Sequence, residues 1–479
     1  MSKRALVWFR NDLRTMDHEP LYRAASDYDE ILPVYCFDPR YYDTSRYGFQ
    51  KTGAHRAQFI IESVKNLRAN LKAKGSTLLV GHEDTCTFLQ SLIKQYQPDA
   101  ILAHHEPAPD EKKIEQAIEE AIQIPLHLFW GTSLYHPEDV PFTIAELPTV
   151  FSQFRKPVEK KAEVRGLFEL PSTLPTIQDA ESGHIPDLEA LGLNIPPEDD
   201  RAVLTFTGGE DAAMRRLNDY FWEGNHLKNY KYTRNGLLGA DYSSKFSPWL
   251  AVGAISPRQI YYQVKQYEEQ RKKNVSTYWM VFELLWRDFF FFSMLKYQDE
   301  VFAPGGLRDI NQDWRDDRSL FRKWADARTG IPFVDANMRE LNQTGYMSNR
   351  GRQNVASFLA QNLNIDWRLG AAYFERTLLD YDVSSNWLNW AHNSRAGLDP
   401  RNRYFNIVNQ SKKYDKKGEY IKTWLPELSN LPAEQVHEPW VMNDDSLRLC
   451  AVEPGVDYPR PVINLEESYA RIRQDRKTD

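Results

Sequence analysis

GYMSNRGRQNVASFLAQNLNIDWRLGAAYFERTLLDYDVSSNWLNW, residues 345–390, is the stretch on which the reading of this chain turns. Val355, Phe358, Leu359 and Leu363 recur at helical spacing, and Ala371, Phe374, Leu378 and Leu379 do so again. Polar side chains are dense for such an apolar setting: Asn349, Arg350, Arg352, Gln353, Asn354, Asp380, Asp382 and Asn386. Buried charge is costly unless paired. These groups gather at one helix start and in the loop after a helix end, where sites are built. Asp380 and Asp382 alternate across Tyr381, so an extended loop points both carboxylates one way. One is expected to pair with Arg352 and the other to accept a ring N–H from a ligand. Asn386 offers a donor and an acceptor, and Trp367 and Trp390 flank the polar group. A helical pair with capping aspartates and core tryptophans accounts for any one of these residues. It does not account for the whole constellation.

Upstream, Thr207-Gly208-Gly209-Glu210 reads as a helix entrance before Ala213, Leu217, Tyr220 and Phe221. Tyr230 and Arg234 follow, then Ser243-Ser244-Lys245-Phe246-Ser247-Pro248. Small hydroxyls and a lysine before a proline suit a loop that holds phosphate oxygens, and equally a helix cap at Ser247. Residues 276–296, STYWMVFELLWRDFFFFSMLK, are apolar nearly all round and predict a buried helix. Glu283, Arg287 and Asp288 argue against a membrane span. Glu283 and Arg287, four apart, share a face, with Trp286 beside them. This is either an internal salt bridge with a core tryptophan or a pocket wall that stacks on a base and hydrogen-bonds it. Past Trp390, residues 395–417 carry seven Lys or Arg against two Asp, interleaved with Tyr404, Phe405 and Tyr414. That mixture suits a single-strand groove or a solvated surface.

The first 130 residues alternate short apolar runs (5–9, 31–37, 77–80, 100–103, 126–129) with helical patterns, the clearest at 54–74. This predicts a doubly wound parallel α/β sheet that binds ligands beyond its strands' carboxyl ends, near Arg10, Asn11, Asp12, Asp38, His104, His105 and Glu106. No glycine-rich dinucleotide fingerprint and no P-loop is present. The two histidines lack an evident third metal ligand and read as a solvated loop. A proline-punctuated connector, 131–200, leads to a large all-α domain, 201–430, and a charged tail, 431–479. Net charge is −7, which argues against coating DNA by charge alone. Cys36, Cys86 and Cys450 are scattered, without metal or disulfide spacing, which suits a reducing compartment. With no signal peptide or membrane span in view, the expected location is cytoplasmic.

The motifs WFRNDLR (8–14), ELLWRDF (283–289), NMREL (337–341), TGYMSNRGRQNVASFL (344–359), DPRNRYFN (399–406) and WLPEL (424–428) together resemble the photolyase and cryptochrome family, in its DASH cryptochrome branch. The resemblance spans about residues 6–428. It implies an α/β antenna-type domain joined to an all-α FAD-binding domain in a monomer without a metal. It also implies blue-light repair of cyclobutane pyrimidine dimers, preferentially in single-stranded DNA, by an electron from excited reduced flavin.

Carried residue by residue, the resemblance places Tyr230, Ser243, Ser244, Lys245, Phe246, Ser247, Arg287, Asn349, Arg352, Asp380, Asp382 and Asn386 at FAD, with Asn386 near flavin N5. Glu283 and Trp286 would hold the dimer. Arg234, Asn349, Arg350, Gln353, His392 and Arg403 would face DNA. Trp390, Trp367 and Trp314 would pass electrons inward from the surface. Glu106 would contact an antenna, a reduced folate such as methenyltetrahydrofolate. Ala391 and His392 depart from the branch, which usually has Asn and Tyr there. The alternative reading is a blue-light photoreceptor with the same cofactor and no repair. A binding module without light chemistry would be a colourless protein.

Overall fold

The computed structural model describes residues 2–177, 180–398 and 404–478. Strands β1 (Arg4–Phe9), β2 (Glu30–Cys36), β3 (Leu79–Gly81), β4 (Ala100–His104) and β5 (Leu126–Phe129) form one parallel sheet in the order β3-β2-β1-β4-β5. Helices α1 (Glu19–Asp27), α2 (Ala54–Ala73), α3 (Thr85–Tyr96) and α4 (Pro109–Ala121) connect them. Neighbouring residues of a strand face opposite layers. Leu6 and Trp8 pack with Phe88, Leu89, Leu92, Ile114 and Ile118 of α3 and α4. Ala5, Val7 and Phe9 face α2 and a core that runs on into the helical half. Burial on both faces is why the strands read as continuous apolar runs.

Strand β3 is shorter than the run at 77–80 and lies further on. The connector takes the vacant edge: Thr176 bridges Ile31, and Ile31 N–H donates to Pro175 O at 3.1 Å. The connector buries Leu134, Leu147, Phe154, Leu174 and Leu191 and contributes one helix, α5 (Phe151–Lys161). The helical half comprises α6 (Glu210–Asn218), α7 (Tyr230–Thr233), α8 (Ser247–Ala251), α9 (Pro257–Gln270), α10 (Val275–Tyr297), α11 (Arg318–Ala325), α12 (Pro332–Thr344), α13 (Asn349–Ser357), α14 (Trp367–Thr377), α15 (Val383–Asn393), α16 (Ile407–Tyr414) and α17 (Glu419–Trp424). Helix α14 stops at Thr377, so Leu378 and Leu379 lie beyond it. The tail adds α18 (Asp444–Leu449) and α19 (Leu465–Thr478) and is docked: Tyr458 donates to buried Asp335 at 2.6 Å, and Tyr469 Oη accepts from Ile407 N–H at 2.9 Å. Among the described residues no helix is long and apolar enough to cross a membrane.

The turn after β1 bolts the two halves together. Buried Asp17 accepts from Ser256 Oγ at 2.6 Å and Arg258 Nε at 3.0 Å, and lies 2.8 Å from Arg258 Nη2. Arg14 donates to Gly253 O, and Glu210 accepts from Thr15 and Met16 N–H groups. Asp17 sits at φ 54°, a left-handed conformation that Asp and Asn tolerate best among side-chain-bearing residues. Asp17→Asn therefore keeps the backbone but leaves Arg258 as a buried charge. It is expected to cost roughly 3–5 kcal/mol, read as a lower thermal midpoint; an unchanged midpoint contradicts this.

Candidate functional site

Helices α8, α10, α13, α14 and α15 surround a cavity whose walls hold every residue assigned above to FAD: Tyr230, Ser243, Ser244, Lys245, Phe246, Ser247, Arg287, Asn349, Arg352, Asp380, Asp382 and Asn386. Ser348 caps α13 by accepting from Gly351 N–H, which aims Asn349 and Arg352 inward. Arg352 donates to Asp380 Oδ2 at 2.8 Å and to Met347 O at 2.9 Å. Asp380 Oδ1 is buried with no partner. Asp382 caps α15, accepting from Ser385 N–H at 2.6 Å. Asn386 spends its amide on Ala371 O at 3.0 Å, which fixes its orientation in the wall.

In the same cavity Lys245 is buried at φ 56°, and its Nζ has no hydrogen-bond partner. It lies 3.2 Å from the Tyr242 ring centroid. Burial lowers its pKa to about 6, against the pull of Glu340. Arg216 of α6 holds this strained turn through Ser244 O at 3.0 Å, Ala240 O at 3.0 Å and Ser243 O at 3.2 Å. Ser247 is the first residue of α8 and not its cap. A buried lysine Nζ without a hydrogen-bond partner, which an anion would hold charged, and an unpartnered carboxylate oxygen ask for a ligand with an anionic part and a ring N–H donor. FAD has both, in its diphosphate and its isoalloxazine, so the residues present fit it. Nothing in the sequence pattern marks Arg216 or Glu340 as part of this site. Glu340 sits in NMREL, and its burial raises its pKa to about 7 despite a 2.6 Å bond from Tyr420.

A second pocket of about 530 Å³ shares a wall with the first through Arg234, Glu283, Arg287, Asn349 and Gln353, and adds Trp286, Arg350, His392 and Phe405. Of the two readings of this helix face, the internal Glu283–Arg287 salt bridge does not form. Glu283 pairs instead with Arg234 of α7's end at 2.6 Å, while Arg287 turns to Thr132 O and Leu250 O. Two residues four apart on a buried helix are drawn to whichever partner lies off the helix when that partner completes their desolvated charge. Burial raises the Glu283 pKa, and Arg234 opposes it. Arg350 donates to Asn235 Oδ1 at 2.9 Å and to Gln353 Oε1 at 2.7 Å. His392 stands edge-on to Trp286, with centroids 6.2 Å apart. Arg403 lies outside the described residues.

Trp390 is buried in the wall of the first cavity, with its indole edge against Gly370; a Cβ there would come within 2.2 Å of it. Trp367 is buried and donates to Pro304 O at 3.1 Å. Trp314 is half-buried, beside the Arg315–Ile365 bridge that leads into α14. Two further tryptophans not singled out in the sequence touch this series: Trp324 lies 6.0 Å from Trp390, and Trp387 lies 5.9 Å from Trp367.

Beyond the strands' carboxyl ends is a cleft of about 710 Å³, lined by Arg10, Asn11, Asp38, Tyr41, Glu106 and Glu111, among others. Arg287, Tyr381 and Asp382 line both this cleft and the first cavity. Burial raises Glu106 to about 8 and Glu111 to about 7. The histidines are not in a solvated loop. His104 is buried and its Nδ1 lies 2.7 Å from Asp12 Oδ2, which His18 Nε2 approaches at 2.9 Å; His105 pairs with Glu115 at 2.6 Å. Asp12, His18 and His104 thus meet as a possible metal-ligand group. However, His18 Nδ1 already accepts Leu21 N–H, so Nε2 carries the proton and donates to Asp12. The trio is a hydrogen-bond network centred on Asp12, with His104 Nε2 buried and left without a partner.

The family described as "FAD binding domain of DNA photolyase" matches residues 279–478, and that described as "DNA photolyase" matches residues 5–176. A cryptochrome DASH of Natronomonas pharaonis is 51% identical, over 98% of this chain and 99% of that protein. The crystal structure of a Synechocystis cryptochrome superposes with a TM-score of 0.95 at 48% identity, covering 99% of each chain. A class III photolyase from Agrobacterium tumefaciens superposes with a TM-score of 0.85 at 26% identity, covering 99% of this chain and 98% of that one.

Asp380→Ala removes both the partner of Arg352 and the free acceptor. A hydrogen bond to a charged group contributes about 1.5–3 kcal/mol, so flavin retention should fall by roughly tenfold or more. The flavin-to-protein absorbance ratio after dialysis checks this; full retention contradicts it.

Proposed function

The chain belongs to the photolyase and cryptochrome family, in its cryptochrome DASH branch, and on that premise we propose that it repairs cyclobutane pyrimidine dimers in single-stranded DNA under blue light. The observation that carries this reading is the shared wall: Glu283, Asn349 and Gln353 line both the FAD cavity and a pocket that opens beside it. FAD, when bound, supplies light-driven one-electron chemistry.

The chain's own residues do the rest. Lys245 and the Ser243–Ser247 turn would hold the diphosphate. Asp380, oriented by Arg352, would accept the ring N–H, and Asn386 would lie near the flavin's redox-active ring. Trp286 offers a stacking face to a flipped dimer. Glu283, its carboxyl raised by burial, stands ready to donate or accept a hydrogen bond at a pyrimidine carbonyl. Trp390, Trp367 and Trp314 offer a path for electrons from the surface to the cavity wall.

The preference for single strands has a physical basis. Arg234 and Arg350, at the pocket's rim, are engaged by Glu283, Asn235 and Gln353. Glu283 neutralises Arg234, which leaves less charge to offset the cost of extracting a paired base from a duplex. The cleft around Glu106 suits a reduced-folate antenna, because a carboxyl kept protonated can donate to a pterin ring.

Reduced protein should repair a thymine dimer in a single-stranded oligonucleotide under blue light and do so poorly in a duplex. Absence of repair in either strand form, with bound flavin that still photoreduces, would replace this reading by light sensing and implicate Ala391 and His392. Trp390→Phe should slow flavin photoreduction at least tenfold by stopped illumination; an unchanged rate removes the tryptophan path.

A further inference from the structure

The dimer-facing tryptophan is not held by its own helix alone. Phe151, the first residue of connector helix α5, lies flat on the Trp286 indole, with centroids 3.7 Å apart and planes 13° apart. It also meets Phe282 edge-on at 5.3 Å and Phe289 at 5.7 Å. Phe282, Trp286 and Phe289 are one stripe of α10, so Phe151 enters that stripe as a knob. Phe151 itself is buried and does not line the pocket, whereas Trp286 does. One face of the indole is therefore spent on the connector, and the rest is left to the pocket.

The seat of α5 is fixed at a second point. Arg155 donates to Tyr278 Oη at 2.6 Å, and that hydroxyl donates to Glu159 Oε1 at 2.8 Å. Tyr278 lies in the first turn of α10, two turns before Trp286. The helix that carries Phe151 is thus pinned to α10 at both ends of the contact. Its own start needs this, because Val150 provides no side-chain cap.

We infer that Phe151 is a positioning residue that sets the plane of Trp286 for stacking on a pyrimidine dimer, which makes the connector part of the substrate site. The inference rests on the proposed repair function. A planar ring is what the position requires. An aliphatic side chain fills volume but leaves the indole free to tilt, and stacking depends on parallel faces held in advance.

The test uses the flavin-bound protein and two oligonucleotides of one sequence, with and without a thymine dimer. Phe151→Leu should weaken binding of the dimer-containing strand roughly tenfold. It should leave undamaged-strand binding, flavin content and flavin photoreduction at parental values. Phe151→Tyr, which keeps the ring, should bind the dimer within about twofold of the parent. Equal dimer binding by Phe151→Leu and the parent overturns the assignment. So does a parallel loss of dimer binding, flavin and photoreduction in Phe151→Leu that the ring-keeping variant shares, which marks a packing role only. A parent that does not distinguish the two strands overturns the reading of the pocket, and this assignment with it.

Discussion

A buried carboxylate with one oxygen on an arginine and the other on nothing is an unstable arrangement unless something else arrives. Asp380 is in that state. A buried acceptor without a donor carries its desolvation cost uncompensated, about 1–3 kcal/mol. Lys245, in the same cavity, has a buried Nζ without a hydrogen-bond partner, and burial pushes it toward the neutral amine. Both groups are satisfied at once by a molecule with an anion at one end and a ring N–H at the other. The caps of α13 and α15, the bond from Asn386 to Ala371 O and the Arg216 hold on the Ser244 turn fix the walls that carry them.

The cavity also sits between two other spaces. On one side it shares Glu283, Asn349 and Gln353 with the pocket of Trp286. On the other it shares Tyr381 and Asp382 with the cleft of Glu106. Arg287 lies in the walls of all three and is anchored by backbone carbonyls of the connector and of α8. The position of the parallel sheet against the helices is therefore part of the site geometry. The Asp17–Arg258 bond that joins the two halves governs more than stability.

Much of this was legible in the sequence, for identifiable reasons. The strands show because burial on both faces leaves continuous apolar runs. The Arg352–Asp380 pair shows because polar groups crowded into an apolar stretch must meet one another. What stayed hidden depends on contacts distant in sequence. Glu283 has its partner on α7, some fifty residues upstream, so helical spacing pointed to Arg287 instead. Strand β3 begins late because the edge beside Ile31 is filled by residue 176. His104 looked solvated because Asp12 and His18 come to it from another loop. Phe151 lay in a proline-punctuated stretch, and only packing shows that it backs Trp286.

Two adjoining spaces, the flavin cavity and the pocket proposed for two linked bases of one strand, share a common wall. The most direct measurement is the flavin absorption difference spectrum on adding, in the dark, a single strand that carries one thymine dimer. The account predicts a saturable shift of the flavin bands that the undamaged strand does not produce. A dimer-containing strand that binds, as shown by its own fluorescence anisotropy, yet leaves the flavin spectrum unchanged would contradict it.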